Sequence, residues 1–201
     1  MKYKVEKLTD NHLDKLEIFC NECDLAGYNN NNSLEAIKWG QQYDLQSIPE
    51  FWGIFDNNKL ITLSGCHVWD DDFTKQKAMR LLFRSATLPG YENIVPVLSK
   101  THMNSTPFSV LMPLQIKYGM SIGIETYFIT TSHGKHDASG KMNRTHRALE
   151  LLAKQSIVDY YGIHRVYYTS QTVWKLNLEK YFVALKTFEP TKNQLFNIVL
   201  E

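Results

Sequence analysis

The segment "STPFSVLMPLQIKYGMSIGIETYFITTS", residues 105–132, decides which fold the sequence predicts. Its first part has the pattern of a helix, because Ser105 or Thr106 can cap the start and Gly123 can end it. The following "ETYFITTS" is rich in aromatic and β-branched residues, as buried strands are. The segment therefore predicts a helix over 105–123 that leads directly into a strand.

The chain before this segment predicts four strands and two helices. "KYKVEKL" alternates like a short strand, and "DNHLDKLEIFCNECDLAG" has apolar residues at helical spacing. A second helix is expected at 33–39. "FWGIF" and "KLITLSGCHVW" lie on either side of "DNN", which predicts an antiparallel hairpin. "KAMRLLFRSATL" is the next predicted strand, and Pro89 and Gly90 end it.

The chain after this segment completes the prediction of the fold class. "MNRTHRALELLAKQ" predicts a helix, and "IHRVYYTSQTVWKL" predicts two strands or one bent strand. The tail, residues 178–201, is expected either to complete the sheet or to pair with a second subunit in a homodimer. The element order predicts an α/β (α+β) protein with one domain over 1–201. Its central sheet should be mixed and mostly antiparallel, with helices on both faces.

Composition and charge narrow the classes of function. A formal net charge of +1, with 43% hydrophobic and 21% charged residues, is ordinary for a globular chain. We therefore expect no general nucleic-acid or membrane surface. Three cysteines and no disulfide framework favour a reducing compartment, and the start "MKYKVEKLTD" is no signal peptide. The sequence predicts a cytoplasmic protein.

Cys20 and Cys23 have the spacing of a redox or metal motif in "CNEC". Both fall on the apolar face of the first predicted helix, whereas a redox pair is expected at a helix N-terminus. A zinc site would need further ligands, and the chain has no second cysteine pair. We therefore interpret both as buried core residues and assign no metal.

The order of elements resembles that of the GCN5-related N-acetyltransferases (GNATs), and several stretches add to the likeness. "FWGIFDNNKLITLSGCHVW" resembles the family's β2–β3 hairpin, and "PFSVLMPLQIKYGMSIGIETYFITTS" resembles its central helix and fifth strand. "NRTHRALELLAK" resembles the next helix, which often begins with asparagine, and "QTVWKL" a final strand. The likeness covers residues 1–177 and leaves 178–201 as a C-terminal extension. It implies an N-acyltransferase that uses acetyl-CoA or another acyl-CoA on a small-molecule or peptide amine.

The resemblance implies a binding site for the acyl donor at the start of the central helix. In the family, a Q/R-x-x-G-x-G/A loop opens this helix and its amides receive a pyrophosphate. Met103, Thr106 and Phe108 stand at the three motif positions here, so the loop has no glycine. The hydroxyl groups and remaining amides can still bind an anion, or the segment is only a helix cap. The residues implied for the donor are Ser105, Thr106, Phe108, Ser109 and Asn143.

The resemblance also implies an acid and a base for acyl transfer. The family's acid tyrosine usually lies seven residues after the asparagine of the late helix, which here is Glu150. Tyr160 and Tyr161 follow that helix and are the substitutes that we expect, although packing is the commoner role of such residues. Glu125, at the start of the predicted fifth strand, is the candidate base, and its alternative role is a solvated residue at a junction.

Three further residues are candidates for binding the acceptor. Arg80 and Arg84 are expected on one face of their strand, where they can hold a carboxylate or a phosphate, or else lie in solvent. His133 belongs to the polar segment "TSHGKHDASGK", where His136 and Asp137 lie close to it in sequence. The spacing of these residues matches no metal signature, so a solvated loop is the alternative.

Two functions therefore remain open from the sequence. One is a divergent N-acyltransferase, which the polar end of the sheet and the helix-cap hydroxyl groups favour. The other is a GNAT-like binding or assembly module without a cofactor, which the missing glycines and tyrosine favour. We prefer the transferase, because the architecture is mostly used in that way.

Overall fold

A computed structural model of the protein describes residues 3–25, 49–70, 77–95, 106–132, 144–166, 169–186 and 196–198. The helix predicted at 33–39 lies outside these residues, as do Ser105, His133 and Asn143. The strands are β1 (Tyr3–Lys7), β2 (Glu50–Asp56), β3 (Lys59–Asp70), β4 (Lys77–Thr87), β5 (Thr126–Ser132), β6 (Val158–Val166), β7 (Thr169–Leu176) and β8 (Phe196–Ile198). The α-helices are α1 (Leu13–Leu25), α2 (Phe108–Ser121), α3 (Arg144–Ala153) and α4 (Leu178–Lys186).

The eight strands form one sheet in the order β6-β7-β5-β4-β3-β2-β1-β8. β4 pairs with β5 and β1 with β8 in parallel, and the other neighbours are antiparallel. This confirms the predicted mixed, mostly antiparallel sheet. Of the two alternatives for the tail, the structure shows the first, because β8 extends the sheet of its own chain beside β1.

The predicted hairpin is confirmed as β2 and β3, which pair from Glu50↔Cys66 to Asp56↔Lys59. Asn57 and Asn58 make the two-residue turn between them, and Asn57 has a φ of 54°. Asparagine tolerates this left-handed conformation better than most residues, which explains why a glycine-free turn works here.

Helices cover both faces of the sheet, as predicted. α1 packs on one face, where Phe19, Cys20 and Cys23 join a cluster with Leu63 of β3 and Phe83 of β4. Cys20 and Cys23 are 4% and 0% exposed, so both cysteines of the "CNEC" segment are core residues. The other helices contribute to a second, larger cluster on the opposite face.

The helix of the deciding segment begins later than the sequence predicts. α2 starts at Phe108, its N-cap is Pro107, and no side chain caps it. The backbone N–H of Ser109 and its hydroxyl group both donate to the Thr106 carbonyl, at 3.0 and 2.7 Å. The turn before the helix therefore closes on a backbone carbonyl instead of the predicted hydroxyl cap.

α2 is held against β5 by the buried ring of Tyr127. The Tyr127 hydroxyl donates to the carbonyls of Ile124 and Ile116, at 2.8 and 3.2 Å. The ring lies directly against Gly119, which is itself buried. A side chain at Gly119 would separate the helix from the strand.

We therefore expect Gly119→Ala to destabilise the protein by about 1–3 kcal/mol, although alanine is the better helix former. The new Cβ atom would lie 2.7 Å from Cε1 of Tyr127 and 2.8 Å from its hydroxyl oxygen. The ring cannot swing away, because Tyr127 is fully buried. Urea unfolding measures the change, with Lys117→Ala on the exposed side of α2 as the control. Equal or greater stability of Gly119→Ala would contradict this packing.

Candidate active site

The clearest opening in the sheet lies between the two central parallel strands. β4 and β5 pair over four residues, from Ala78↔Thr126 to Leu81↔Ile129. β4 then continues to Thr87 and β5 to Ser132 with no further pairing between these two described strands. We call the gap beyond Leu81 and Ile129 the β4–β5 cleft.

Two β-bulges turn β4 away from β5 at this point. The register against β3 shifts between Gly65 and His67 and again between Leu63 and Gly65. In each interval β4 has one residue more than β3, which bends a strand and increases its twist. Leu82 and Arg84 lie in these intervals with φ values of 56° and 50°. Such strain in residues other than glycine costs about 1–3 kcal/mol each and is frequent at functional sites.

Gln115 of α2 supports the first bulge from the helix side. Its Oε1 atom accepts a hydrogen bond from the backbone N–H of Leu82 at 3.0 Å, and its Nε2 atom donates to Ser64 Oγ at 2.8 Å. Ser64 Oγ is in turn 2.7 Å from Ser85 Oγ. Gln115 and Ser64 are fully buried, so solvent does not compete for their hydrogen bonds. This network therefore connects α2, β3 and β4.

The N-terminus of α2 lies at the open end of the cleft. α2 crosses from β4 to the parallel strand β5, so it runs antiparallel to both and starts near their carboxyl ends. Ser109 is buried, and its hydroxyl proton is used on the Thr106 carbonyl. The donors that remain at this end are the Thr106 hydroxyl group and backbone amides such as that of Phe108, which the helix dipole makes favourable for an anion.

Arg80 and Arg84 form one patch on the face of the sheet that α1 also covers. Both guanidinium groups pack on the Phe83 ring, at 5.3 and 5.6 Å from its centroid. This confirms that they share one face. Arg80 is 9% exposed and donates through Nη2 to Gln171 Oε1 of β7 at 3.3 Å. We call Arg80, Phe83 and Arg84 the arginine cluster.

His67 of β3 borders the arginine cluster and is uncharged. It faces Arg80 across the strand pair and meets the Phe83 ring edge-on at 4.9 Å. Burial, with the positive charge of Arg80 as the second cause, lowers the pKa of His67 to about 3. Its Nδ1 atom lies 2.8 Å from the Val68 carbonyl oxygen, so Nδ1 carries the proton and donates to it.

The structure places Tyr160 and Tyr161 on opposite faces of the sheet. Neighbouring residues of a strand point to opposite faces, and the register shift of β6 against β7 between Tyr160 and Gly162 leaves this alternation in place. Tyr161 packs edge-on against Phe128, the partner of Arg80 on β5, at 5.2 Å. Tyr160 packs on Trp174 on the face of α2 and α3 and is 58% exposed.

Glu125 is exposed and precedes the first residue of β5. The cleft opens after Ile129, about 13 Å further along the strand at the usual rise per residue. The structure therefore does not bring Glu125 to the cleft. Its carboxylate can contact an acceptor only when the acceptor extends from the cleft back to the start of β5.

A second polar group lies under α3, near Tyr160. His146 Nδ1 is 3.3 Å from Thr131 Oγ1, which also accepts a hydrogen bond from the Trp174 indole at 3.4 Å. His146 Nε2 lies 3.8 Å from Glu150 Oε1. An open depression of about 470 Å³ is lined in part by these residues and Tyr160. It lies over β6 and β7 and not in the β4–β5 cleft. Another depression, of about 490 Å³, lies beside the β2–β3 turn and is also outside the cleft.

Sequence reasoning missed Gln115, His67 and the bulges of β4. Signals for two of these were present. Gln115 is the one polar residue between Ser109 and Lys117 in an otherwise apolar stretch of the helix. The apolar run Leu81–Phe83 breaks the alternation of β4, which is what a bulge does to a strand pattern.

The parallel strand pair opens at bulges, and the crossing helix begins at the opening, as expected from the order of elements in the sequence. The protein has the fold of the GCN5-related N-acetyltransferases. The resemblance inferred from sequence is thus confirmed at the level of the fold.

Comparison with solved structures supports this assignment. The chain is similar to FeeM, an N-acyl amino acid synthase from uncultured soil microbes, with a TM-score of 0.56, 11% identity and coverage of 93% of this chain and 97% of that one. It is also similar to a GNAT-family acetyltransferase from Streptococcus pneumoniae, with a TM-score of 0.52, 11% identity and coverage of 87% of this chain and 98% of that one. The ribosomal-protein-S18-alanine N-acetyltransferase from Escherichia coli matches with a TM-score of 0.50, 14% identity and coverage of 87% of this chain and 93% of that one. No model of a protein family matches the sequence, and no curated protein matches it.

The described residues contain neither a metal-binding cluster nor a membrane-spanning helix. Within them, no group of three or more histidine, cysteine, aspartate or glutamate side chains is placed to hold a metal ion. None of the helices in that part of the chain has both the length and the apolar character that a membrane crossing requires.

Proposed function

We propose that the protein is an N-acyltransferase that moves an acyl group from acetyl-CoA or another acyl-CoA to an amine of a small molecule or a peptide. The β4–β5 cleft is the observation that carries this proposal. Two strained bulges end the pairing of the central parallel strands beyond Leu81 and Ile129. Beyond these residues the two strands no longer use their backbone groups on each other, so these groups can hydrogen-bond an extended acyl-pantetheine chain.

The residues at the cleft suit the acyl donor at two positions. Leu81 and Ile129 are buried apolar residues where the strands separate, so they suit an alkyl chain. The first turn of α2 suits the phosphates, through backbone amides and the Thr106 hydroxyl group. Ser105 and Asn143 remain proposed ligands from the resemblance alone.

The reaction needs a nucleophilic amine and a protonated leaving group. The amine nitrogen attacks the thioester carbon, a C–N bond forms, the C–S bond breaks, and the proton lost by nitrogen ends on the thiolate. Tyr161 is the better of the two tyrosine candidates for this proton transfer, because it shares a face with the arginine cluster. Tyr160, on the opposite face, and Glu125, about 13 Å from the cleft along β5, are the alternative candidates.

Calorimetric titration with acetyl-CoA and with free coenzyme A tests the proposed function. We expect micromolar binding that Thr106→Glu weakens at least about tenfold, because a carboxylate there repels phosphate. Ser121→Glu puts the same charge at the exposed C-terminal end of α2 and is the matched control. Circular dichroism verifies that both variants are folded. Absence of heat at millimolar ligand overturns the proposal and favours a fold that serves as a binding module.

A further inference from the structure

The arginine cluster holds two guanidinium groups in fixed positions beside the cleft. Both guanidinium groups rest on one ring, and Gln171 holds the more buried one from β7. His67 adds no charge there, because it is neutral in its buried position. Planar guanidinium groups in fixed positions recognise a carboxylate or a phosphate through paired hydrogen bonds.

The surroundings of the cluster suit a small organic molecule. Phe128 of β5 is the strand partner of Arg80 of β4. Its ring contacts the rings of Trp69 and Tyr161 edge-on, with centroids 5.6 and 5.2 Å apart. Trp69, Tyr161 and Arg84 are each partly exposed, so a molecule on this face can reach them. The face thus combines positive charge with aromatic rings, on the side of the sheet opposite to α2 and α3.

We propose that the arginine cluster binds a carboxylate of the acyl acceptor, so that the acceptors are amines with a carboxylate close to the amino group, as in amino acids. The inference rests on the proposed N-acyltransferase function and names its class of substrate. Arg80 and Arg84 bind the carboxylate, and the aromatic rings contact the remainder of the molecule.

Electrostatics favours this class over a simple amine. Two guanidinium groups repel an ammonium ion and lower its pKa, which favours the neutral amine that attacks the thioester. The same two charges would also weaken binding of an acceptor that carries only an amine. A carboxylate on the acceptor offsets that repulsion and fixes the amino group at a defined distance from Arg80 and Arg84.

Matched pairs of ligands test the proposal without requiring turnover. The panel is a set of amino acids, each with its own amide, and phosphoethanolamine as the phosphate probe. Calorimetry measures binding of each to the full chain, and thiol release from acetyl-CoA measures turnover separately. We expect at least one amino acid to bind about ten- to a hundredfold more tightly than its amide. Arg84→Gln and Arg80→Lys should both reduce this ratio, while Arg165→Gln, an exposed arginine of β6, should leave it intact.

The results separate this inference from the proposed function. Coenzyme A binding together with equal affinity for acids and amides, or with no binding of either, overturns the carboxylate site and leaves the transferase standing. Tighter binding of phosphoethanolamine than of every amino acid assigns the cluster to phosphate and also overturns it. Acid-selective binding without coenzyme A binding supports the carboxylate site and removes the transferase.

Discussion

Replacement of Gln115 by leucine should abolish tight binding of the acyl donor and destabilise the protein. The substitution leaves the buried backbone N–H of Leu82 without its partner, whereas Ser64 Oγ loses Gln115 but keeps Ser85 Oγ at 2.7 Å. One unsatisfied buried group costs about 1–3 kcal/mol, and a loss of that size is expected. The bulge that Gln115 supports is the one at which β4 leaves β5, so the geometry of the cleft should be lost as well.

A matched comparison separates loss of the cleft from loss of stability. Gly119→Ala lies on the same helix, away from the bulge, and should destabilise the protein by a similar amount, through overpacking against Tyr127. Leu114→Met, a buried neighbour of similar volume, should cost less than about 1.5 kcal/mol. Urea unfolding gives the stability, and calorimetry with acetyl-CoA gives the affinity at a temperature where all three variants are folded. If Gln115→Leu binds acetyl-CoA as tightly as Gly119→Ala does, Gln115 has only a structural role.

The fold was predictable because its signals are local. The hairpin at Asn57, the helix and strand of 106–132, and the paired strands at 158–176 each have a pattern that sterics and burial dictate over a few residues. The sequence does not decide the place of the C-terminal strand, because its three residues pair with β1, a contact that depends on the whole sheet. Pairings of that kind are distant in sequence and have no local signature.

The candidate site was less predictable, because its geometry depends on irregularities. The two bulges of β4 require left-handed residues, and neither Leu82 nor Arg84 is a type that favours this conformation. Regular alternation of side chains predicts that Arg80 and Arg84 share a face. They do share one, but β4 is not regular there, because its two bulges add two residues relative to β3. Both guanidinium groups instead meet on the Phe83 ring.

The stability of the protein should fall steeply as the pH is lowered from 6.5 to 4, and His67 should be a main cause. Burial, followed by the charge of Arg80, lowers the pKa of His67 in the folded protein to about 3, below the ordinary value of 6.5. Between these values the unfolded chain binds a proton that the folded chain does not. Above pH 6.5 His67 is neutral in both states and the free energy of unfolding is not reduced. Below pH 6.5 protonation of the unfolded chain lowers the free energy of unfolding, by up to about 1.4 kcal/mol per pH unit.

His67→Gln isolates this contribution, because an amide does not titrate. Unfolding free energies of both proteins, measured by urea at intervals from pH 7.5 to 4, should converge as the pH falls, by about 3 kcal/mol at pH 4. Arg80→Gln should give an intermediate slope, since the charge of Arg80 is the second cause of the lowered pKa. His164→Gln, at a partly exposed position of β6, is the control for loss of a histidine. Parallel curves for the wild type and His67→Gln would mean that His67 accepts a proton in the folded state, and the arginine cluster would then border a site of variable charge.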